Sequence, residues 1–167
     1  HVLEQLNFNP KTQYFCSGFT EFGNRKFHCW KEGGHGLVDL KGAIKKSCDC
    51  YFYNLAKLIK IDSLSKFSKK FSFGTSTKVD IPNELIGIMP NKNWKKKNKG
   101  ERWQKGETLN TVIGQGFTLA TPLQITTMTA MLASGKKIKP KILYNSDNIF
   151  ENTGISKKNL DFIRDAM

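Results

Sequence analysis

Residues 15–56 read FCSGFTEFGNRKFHCWKEGGHGLVDLKGAIKKSCDCYFYNLA, and this stretch joins two kinds of sequence. Its first half belongs to a longer segment, residues 7–37, in which glycines separate short aromatic runs, a pattern typical of loops. Its second half carries apolar residues at helical intervals and predicts one helix over residues 38–47 and another that begins at Tyr51. The stretch therefore predicts glycine-rich loops that lead directly into helix.

Helix signals continue along the chain. Asp62 precedes an apolar stripe that stops at Gly74, which predicts a helix capped by Asp62. Ser156 is expected to cap a helix near the C-terminus. The clearest helix covers residues 121–135, where four residues suit the terminal positions: Thr121 as cap, Pro122 as first helical residue, Gln124 in a capping box and Gly135 as the end.

Three other segments are predicted to lack helix. Residues 80–87 indicate a turn, and residues 137–145 indicate a strand. Residues 91–107 interleave Trp94 and Trp103 with lysines, and we expect an exposed basic loop with two packed tryptophans.

The bulk composition is that of a basic globular domain. The chain has 167 residues, 38% of them apolar, and a net charge of +13 from 27 basic and 14 acidic residues. Such a charge favours polyanionic partners, such as nucleic acid or anionic lipid, although a lysine-rich coding bias explains it equally well. No stretch approaches the roughly 20 apolar residues that span a membrane.

Three cysteines and one histidine form a candidate metal site. Cys16, Cys29, His35 and Cys48 are separated by 12, 5 and 12 residues, and glycine-rich loops can wrap a tetrahedral zinc ion. His28, beside Cys29, is a weaker candidate ligand, and Cys50 is left as a buried thiol. Disulfides and reduced, buried cysteines are alternatives that the spacing leaves open.

The stretch 15–56 also resembles the transpeptidase domain of class B penicillin-binding proteins, particularly the group that acts in cell elongation. The resemblance covers nearly the whole chain and continues through further short motifs: Phe73-Gly74, VDIPNE at 79–84, the Trp94 and Gly106-Glu107 region, and residues 113–133. It implies the α/β fold of serine D,D-peptidases and β-lactamases, an antiparallel sheet between helical layers. We expect residues 1–167 to be part of such a domain, mostly helical with glycine-rich loops and lacking part of the central sheet.

The resemblance also assigns catalytic roles. Enzymes of this family acylate a serine in an S-x-x-K motif, supported by an S-x-N or S-x-D motif and a K-[ST]-G strand. Ser47-Cys48-Asp49 matches the second motif, which gives Ser47 a role in proton relay and Asp49 a hydrogen-bonding role. Read from the residues alone, Ser47 and Asp49 also suit the cap of the helix predicted from Tyr51.

The other two motifs are not present in family order. SLSK (63–66) and SGKK (134–137) match S-x-x-K but follow Ser47, whereas the nucleophile motif of the family precedes it. No K-T-G or K-S-G occurs. We therefore expect the nucleophile before His1 and the K-[ST]-G strand after Met167, so that the chain by itself forms no acyl-enzyme.

For the parent protein, the resemblance implies peptidoglycan stem peptides as substrates and β-lactams as inhibitors. It further implies a place at the periplasmic face of the inner membrane, with an elongation machinery that includes a glycosyltransferase, and no nucleic acid. A small zinc-dependent nucleic-acid-binding module is the rival, supported by the charge, the Cys/His set and the basic tryptophan segment. If zinc binds Cys48, the metal tethers the backbone between Ser47 and Asp49.

Overall fold

The computed structural model describes residues 1–142 and 151–167. Within them, helices make up most of the regular structure. The α-helices are α1 (Val2–Gln5), α2 (Leu40–Lys45), α3 (Asp49–Ala56), α4 (Ile61–Ser68), α5 (Lys92–Lys99), α6 (Lys105–Val112), α7 (Pro122–Ser134) and α8 (Lys157–Ala166), and a 3₁₀ turn covers Lys69–Phe71. The strands are β1 (Tyr14–Cys16), β2 (Phe19–Phe22), β3 (Arg25–His28) and β4 (Gly36–Val38).

The glycine-rich segment is not only loops, and the sequence interpretation was incomplete here. Strand β1 pairs with β4 and β2 with β3, both antiparallel. Strands of three or four residues are too short to show the alternating pattern by which strands are recognised. Gly34 is needed where the 31–35 loop crosses β1, because a Cβ there would lie 2.1 Å from the Cys16 carbonyl oxygen.

Helix α3 is the centre of the main core. Tyr51 is fully buried, its ring meets the edge of Tyr14, and its hydroxyl donates to the Thr12 carbonyl at 2.9 Å. Leu55, on the same helix, is also buried. Each such side chain contributes about 1.5–3 kcal/mol by its removal from water. Helix α3 contacts both β1 and α6, the latter through Tyr53 and Ala56, which pack with Leu109.

Two predicted helix starts were wrong. Helix α3 begins at Asp49 and not at Tyr51, with Cys48 as its N-cap residue and no side-chain cap. Helix α4 begins at Ile61, so Asp62 lies in its first turn, and its carboxylate accepts a hydrogen bond from the backbone of Lys92. In both cases the aspartate is used for a contact with a distant segment.

Helix α7 matches its prediction at both ends. Thr121 caps it in a capping box with Gln124, Pro122 is its first residue, and Gly135 ends it in the left-handed region. Gln124 also makes long-range hydrogen bonds that the capping motif does not predict. Its buried side-chain amide donates to three backbone carbonyls, those of Ser72, Thr75 and Ile86, and so joins α7 to two loops.

The basic segment 91–107 is not an exposed loop, and that prediction was wrong. Asn91 caps α5 by accepting from the Trp94 backbone, and Gly100 ends the helix in the left-handed region. The side chain of Lys95, on α5, is only 2% exposed and lies 2.5 Å from Glu107 on α6. This ion pair joins the two helices.

The remaining segments fit their predictions in part. Residues 80–87 form no helix or strand, as expected of a turn. Residues 137–142 are not a strand, and the rest of the predicted strand lies outside the described residues. Ser156 precedes α8 but does not cap it, because its hydroxyl donates to Glu4. None of the helices in the described part combines the length and the apolarity that a membrane crossing requires.

Candidate functional site

Ser47 lies in the tight turn that joins α2 to α3. Helix α2 ends at Lys45, and the chain reverses through Ser47, which has a φ of +49° and is exposed. A left-handed conformation costs a non-glycine residue about 1–2 kcal/mol, so the surroundings must hold it. The Cys48 backbone N–H closes the turn by donating to the Ala43 carbonyl at 2.9 Å.

Cys48 points away from Ser47, into the protein, where it is fully buried. Its thiol meets three other predicted ligands: Cys16 at the end of β1, and Cys29 and His35 at the two ends of the loop that joins β3 to β4. One donor atom from each of the four residues lies within 4.8 Å of the others. The structure therefore brings together all four residues of the candidate metal site.

The geometry of this cluster suits a tetrahedral ion. His35 Nδ1 lies 3.7 Å from Cys16 Sγ and 3.5 Å from Cys29 Sγ. Ligands at zinc–nitrogen and zinc–sulfur bond lengths in a tetrahedron stand about 3.6 Å apart. His35 Nε2 is buried and has no hydrogen-bond partner among the described residues, whereas ligating histidines usually donate from this second nitrogen. The donor set fits zinc, and the second nitrogen departs from the usual pattern.

The thiols differ in acidity. Burial alone would raise the pKa of Cys16, but hydrogen bonds from the Gly18 and His35 backbones and from the His35 side chain outweigh it and lower the pKa to about 6. Burial raises the pKa of Cys48 to about 12. A metal ion binds thiolates, so its charge would have to displace the proton of Cys48.

The other candidates are not members of this group of four donors. His28 is exposed on β3, where it pairs with Phe19, and it does not join the four donors. Cys50 is fully buried on α3, and burial raises its pKa to about 12, as for an inert thiol.

Trp30 connects the cysteine–histidine cluster to the Ser47–Asp49 turn, and the sequence analysis did not identify it. Its backbone N–H donates to Asp49 Oδ2 and its indole N–H donates to the Lys46 carbonyl, both at 3.0 Å. Its ring meets the edge of the His35 ring, with centroids 5.4 Å apart. The signal available in the sequence was its position directly after Cys29, within the glycine-rich loop.

Asp49 is consequently held by a loop and not by its own helix. It starts α3 but makes no cap, and one carboxylate oxygen accepts from Trp30. The alternative interpretation, that Ser47 and Asp49 serve to cap the helix, is wrong.

Comparison with known proteins places this arrangement in a family. Residues 2–167 match the model of the penicillin-binding protein transpeptidase domain. The chain belongs to this transpeptidase family. The predicted resemblance and the predicted α/β fold are thereby confirmed, and the match leaves no separate segment for a nucleic-acid-binding module.

Individual relatives agree. The chain is 44% identical over 121 residues to the peptidoglycan D,D-transpeptidase MrdA of Acinetobacter baumannii, covering 72% of this chain and 18% of that protein. It superposes on penicillin-binding protein 2 (PBP2) of Helicobacter pylori with a TM-score of 0.93 at 40% identity, over 99% of this chain and 32% of that one. It matches the same protein in complex with MreC with a TM-score of 0.94, at the same identity and coverage. The chain thus spans only about a fifth to a third of the length of these relatives.

The two S-x-x-K matches have structural contacts of their own. In SLSK, on α4, Ser63 is hydrogen-bonded to His1. In SGKK, the Ser134 hydroxyl donates to the Ala130 carbonyl of its own helix, and Gly135 ends that helix. SLSK is thus part of helix α4, whereas SGKK spans the end of α7 and the residues that follow it.

Proposed function

We propose that this chain is the part of a peptidoglycan D,D-transpeptidase that carries the S-x-D motif, with the S-x-x-K and K-[ST]-G motifs elsewhere in the full-length protein. The observation that carries the proposal is the turn at Ser47, which presents an exposed hydroxyl one residue away from a buried anchor, in a chain of the transpeptidase family.

The chemistry assigned to the turn is proton transfer and positioning. A serine nucleophile that attacks the D-Ala-D-Ala peptide bond must lose its proton, and the leaving amine must gain one. The Ser47 hydroxyl both donates and accepts hydrogen bonds, which suits a relay between these groups. Asp49 uses one oxygen for Trp30 and has a second oxygen with which to orient Ser47 or the substrate.

Acylation of the full-length protein by a fluorescent penicillin tests this proposal. Ser47→Ala should slow acylation about 10²–10⁴-fold, the usual contribution of a proton-transfer group. Ser63→Ala is the matched control, because it removes the serine of the SLSK sequence and should leave the rate unchanged. Normal acylation of Ser47→Ala, or loss of acylation in Ser63→Ala, would overturn the assignment.

We also propose that Cys16, Cys29, His35 and Cys48 hold a structural zinc ion. The three buried cysteines, the partly buried His35 and the mutual distances of their donor atoms support this. Zinc would act as a Lewis acid that keeps the thiolates in place, and its role here is structural, since four protein ligands leave no open position. Cys48 would then fix the backbone that carries Ser47 and Asp49.

Elemental analysis of the purified protein tests the metal directly. About one zinc per chain is expected, and it should be lost in His35→Ala but kept in Cys50→Ser, which removes a thiol outside the donor set. A mass spectrum that shows a disulfide to Cys16 or Cys29, or a protein without metal, contradicts the zinc site.

The remaining assignments concern the full-length protein. By analogy with its relatives, its substrates are peptidoglycan stem peptides and its inhibitors β-lactams. The complex of H. pylori PBP2 with MreC supports a place in the cell-wall machinery, where we propose that a glycosyltransferase supplies the strands. The proposed location is the periplasmic face of the inner membrane. Cross-linking in cells, followed by identification of the captured proteins, tests both partner and location.

A further inference from the structure

A basic cleft lies between the end of α4 and the end of α7. Its volume is about 640 Å³, within the range of small-molecule sites. Six lysines from three separate segments line it: Lys69, Lys70, Lys78, Lys137, Lys139 and Lys141. We call this the lysine cleft.

The charge of the lysine cleft is strongly one-sided. Glu151 is the only acidic residue that lines it among the described residues, and it is already paired with Lys137 at 2.7 Å. Glu84 lies nearby, but its carboxylate accepts hydrogen bonds from the Ser76 hydroxyl and from the Thr77 backbone and hydroxyl. The exposed ammonium groups of Lys69, Lys78 and Lys139 carry like charge around one cavity, and a bound anion would relieve their repulsion.

Three of the lysines have their charge available. Lys69, Lys78 and Lys139 are exposed, and none of them forms an ion pair with a carboxylate in the described part of the chain. The hydroxyl groups of Ser72 and Thr75 line the same cavity and can donate to an anion.

The donors in the cleft are lysines. No arginine is among the described residues that line it, so the planar fork that grips carboxylates and phosphates alike is absent. Lysines bind phosphate as compact point charges. Since six lysines line the cleft, a ligand with several negative charges matches them better than one with a single charge. We propose that the lysine cleft binds an anion that carries at least two phosphate groups, either a soluble diphosphate or the headgroups of an anionic membrane.

Calorimetric titration of the chain with inorganic pyrophosphate, and flotation with phosphatidylglycerol vesicles, test the proposal. Saturable pyrophosphate binding that weakens with added salt is expected. In NMR spectra of the unaltered chain, pyrophosphate should shift the backbone signals of Ser72 and Thr75, a measurement that needs no variant.

Two triple variants with equal charge sharpen the test. Replacing Lys69, Lys78 and Lys139 with glutamine should weaken pyrophosphate binding about tenfold or more, since charge-assisted contacts are lost. The control replaces Lys66, Lys96 and Lys97, which are exposed and do not line the cleft, and should change binding less than about twofold. Within residues 1–142 and 151–167, neither set removes an ion pair or a buried group, so both variants should fold.

The outcomes separate the sources of the anion. Loss of both pyrophosphate and vesicle binding in the cleft variant alone supports a membrane headgroup as ligand, and loss of pyrophosphate binding without any vesicle binding supports a soluble diphosphate. Absence of pyrophosphate binding, or equal weakening in both triple variants, overturns the proposal. Neither result bears on the transpeptidase assignment, because none of these lysines lies at the Ser47–Asp49 turn.

Discussion

The cysteine–histidine cluster and the α5–α6 pair both hold separate chain segments together, but they do so with different chemistry. The cluster joins β1, the β3–β4 loop and the turn before α3, and the ion pairs of Lys95 join α5 to α6. The cluster draws its four donors from residues spread between Cys16 and Cys48, whereas the helical pair relies on Lys95 with Glu101 and Glu107, which are close in sequence. The cluster can be recognised in the sequence from its rare residue types. The helical pair cannot, because lysine and glutamate are common on any surface.

Removing a ligand should have the largest effect. Cys48→Ser, or a strong zinc chelator, is expected to lower the free energy of unfolding of the full-length protein by more than about 4 kcal/mol, since loss of a metal is among the few mechanisms with effects of that size. Thermal unfolding followed by circular dichroism measures it. Penicillin acylation should fall in parallel, because the Ser47 turn loses its anchor.

Cys50→Ala is the control for this change. Cys50 is as buried as Cys48 but lies outside the donor set, so only packing is lost and a decrease of about 1 kcal/mol is expected. Equal destabilisation by the two substitutions would mean that packing and not metal binding stabilises the cluster.

Removing the lysine of the helical pair should have a smaller effect. Lys95 is covered by neighbouring side chains, but its partner Glu101 is 69% exposed, so water screens part of the interaction. Lys95→Met should lower the melting temperature by less than Cys48→Ser and leave acylation unchanged. The control, Lys96→Met, alters an exposed lysine on the same helix and should leave the melting temperature unchanged.

A chelator provides the complementary comparison. It should destabilise the Lys95→Met variant as much as the unaltered protein, because the two regions share no ligand. If the chelator has no effect, or if Lys95→Met abolishes metal binding, the two regions are not independent.

The same contrast explains how far the sequence predicts the structure. The helix at 121–135 was predictable at both ends because Thr121, Gln124 and Gly135 each make local contacts that a motif describes. The convergence of the four donor residues was predictable because their residue types and spacing are unusual. These features depend on local chemistry or on rare side chains.

What remained unpredictable depends on distant contacts between common residues. The loop prediction for residues 91–107 failed because Lys95 is buried only through its carboxylate partners, which the charge pattern does not reveal. The cap assigned to Asp49 failed because the Trp30 backbone, 19 residues away, supplies its hydrogen bond. Helix and capping propensities depend on residues that are neighbours in the sequence. Tertiary contacts determined the structure in both of these cases.

The smallest expected effect on stability concerns Trp30, which joins the cluster to the Ser47 turn. Trp30→Phe removes the indole hydrogen bond to Lys46 but keeps a ring against His35 and the backbone donor to Asp49. Because Trp30 is 66% exposed, we expect a loss of about 1 kcal/mol or less, the net value of one hydrogen bond. Penicillin acylation should nevertheless slow several-fold, since the strained turn at Ser47 loses one of its external contacts.

Trp103→Phe is the matched control, since it also removes one indole hydrogen bond, here to Thr108 on α6, which does not form part of the Ser47–Asp49 turn. It should cost a similar amount of stability and leave acylation unchanged. The chemical change is the same in both variants and costs a similar amount of stability. A difference between their acylation rates therefore reports how Trp30 positions the Ser47 turn. Equal rates would show that Trp30 stabilises the loop without orienting the turn, and that the cluster acts on Ser47 through Cys48 alone.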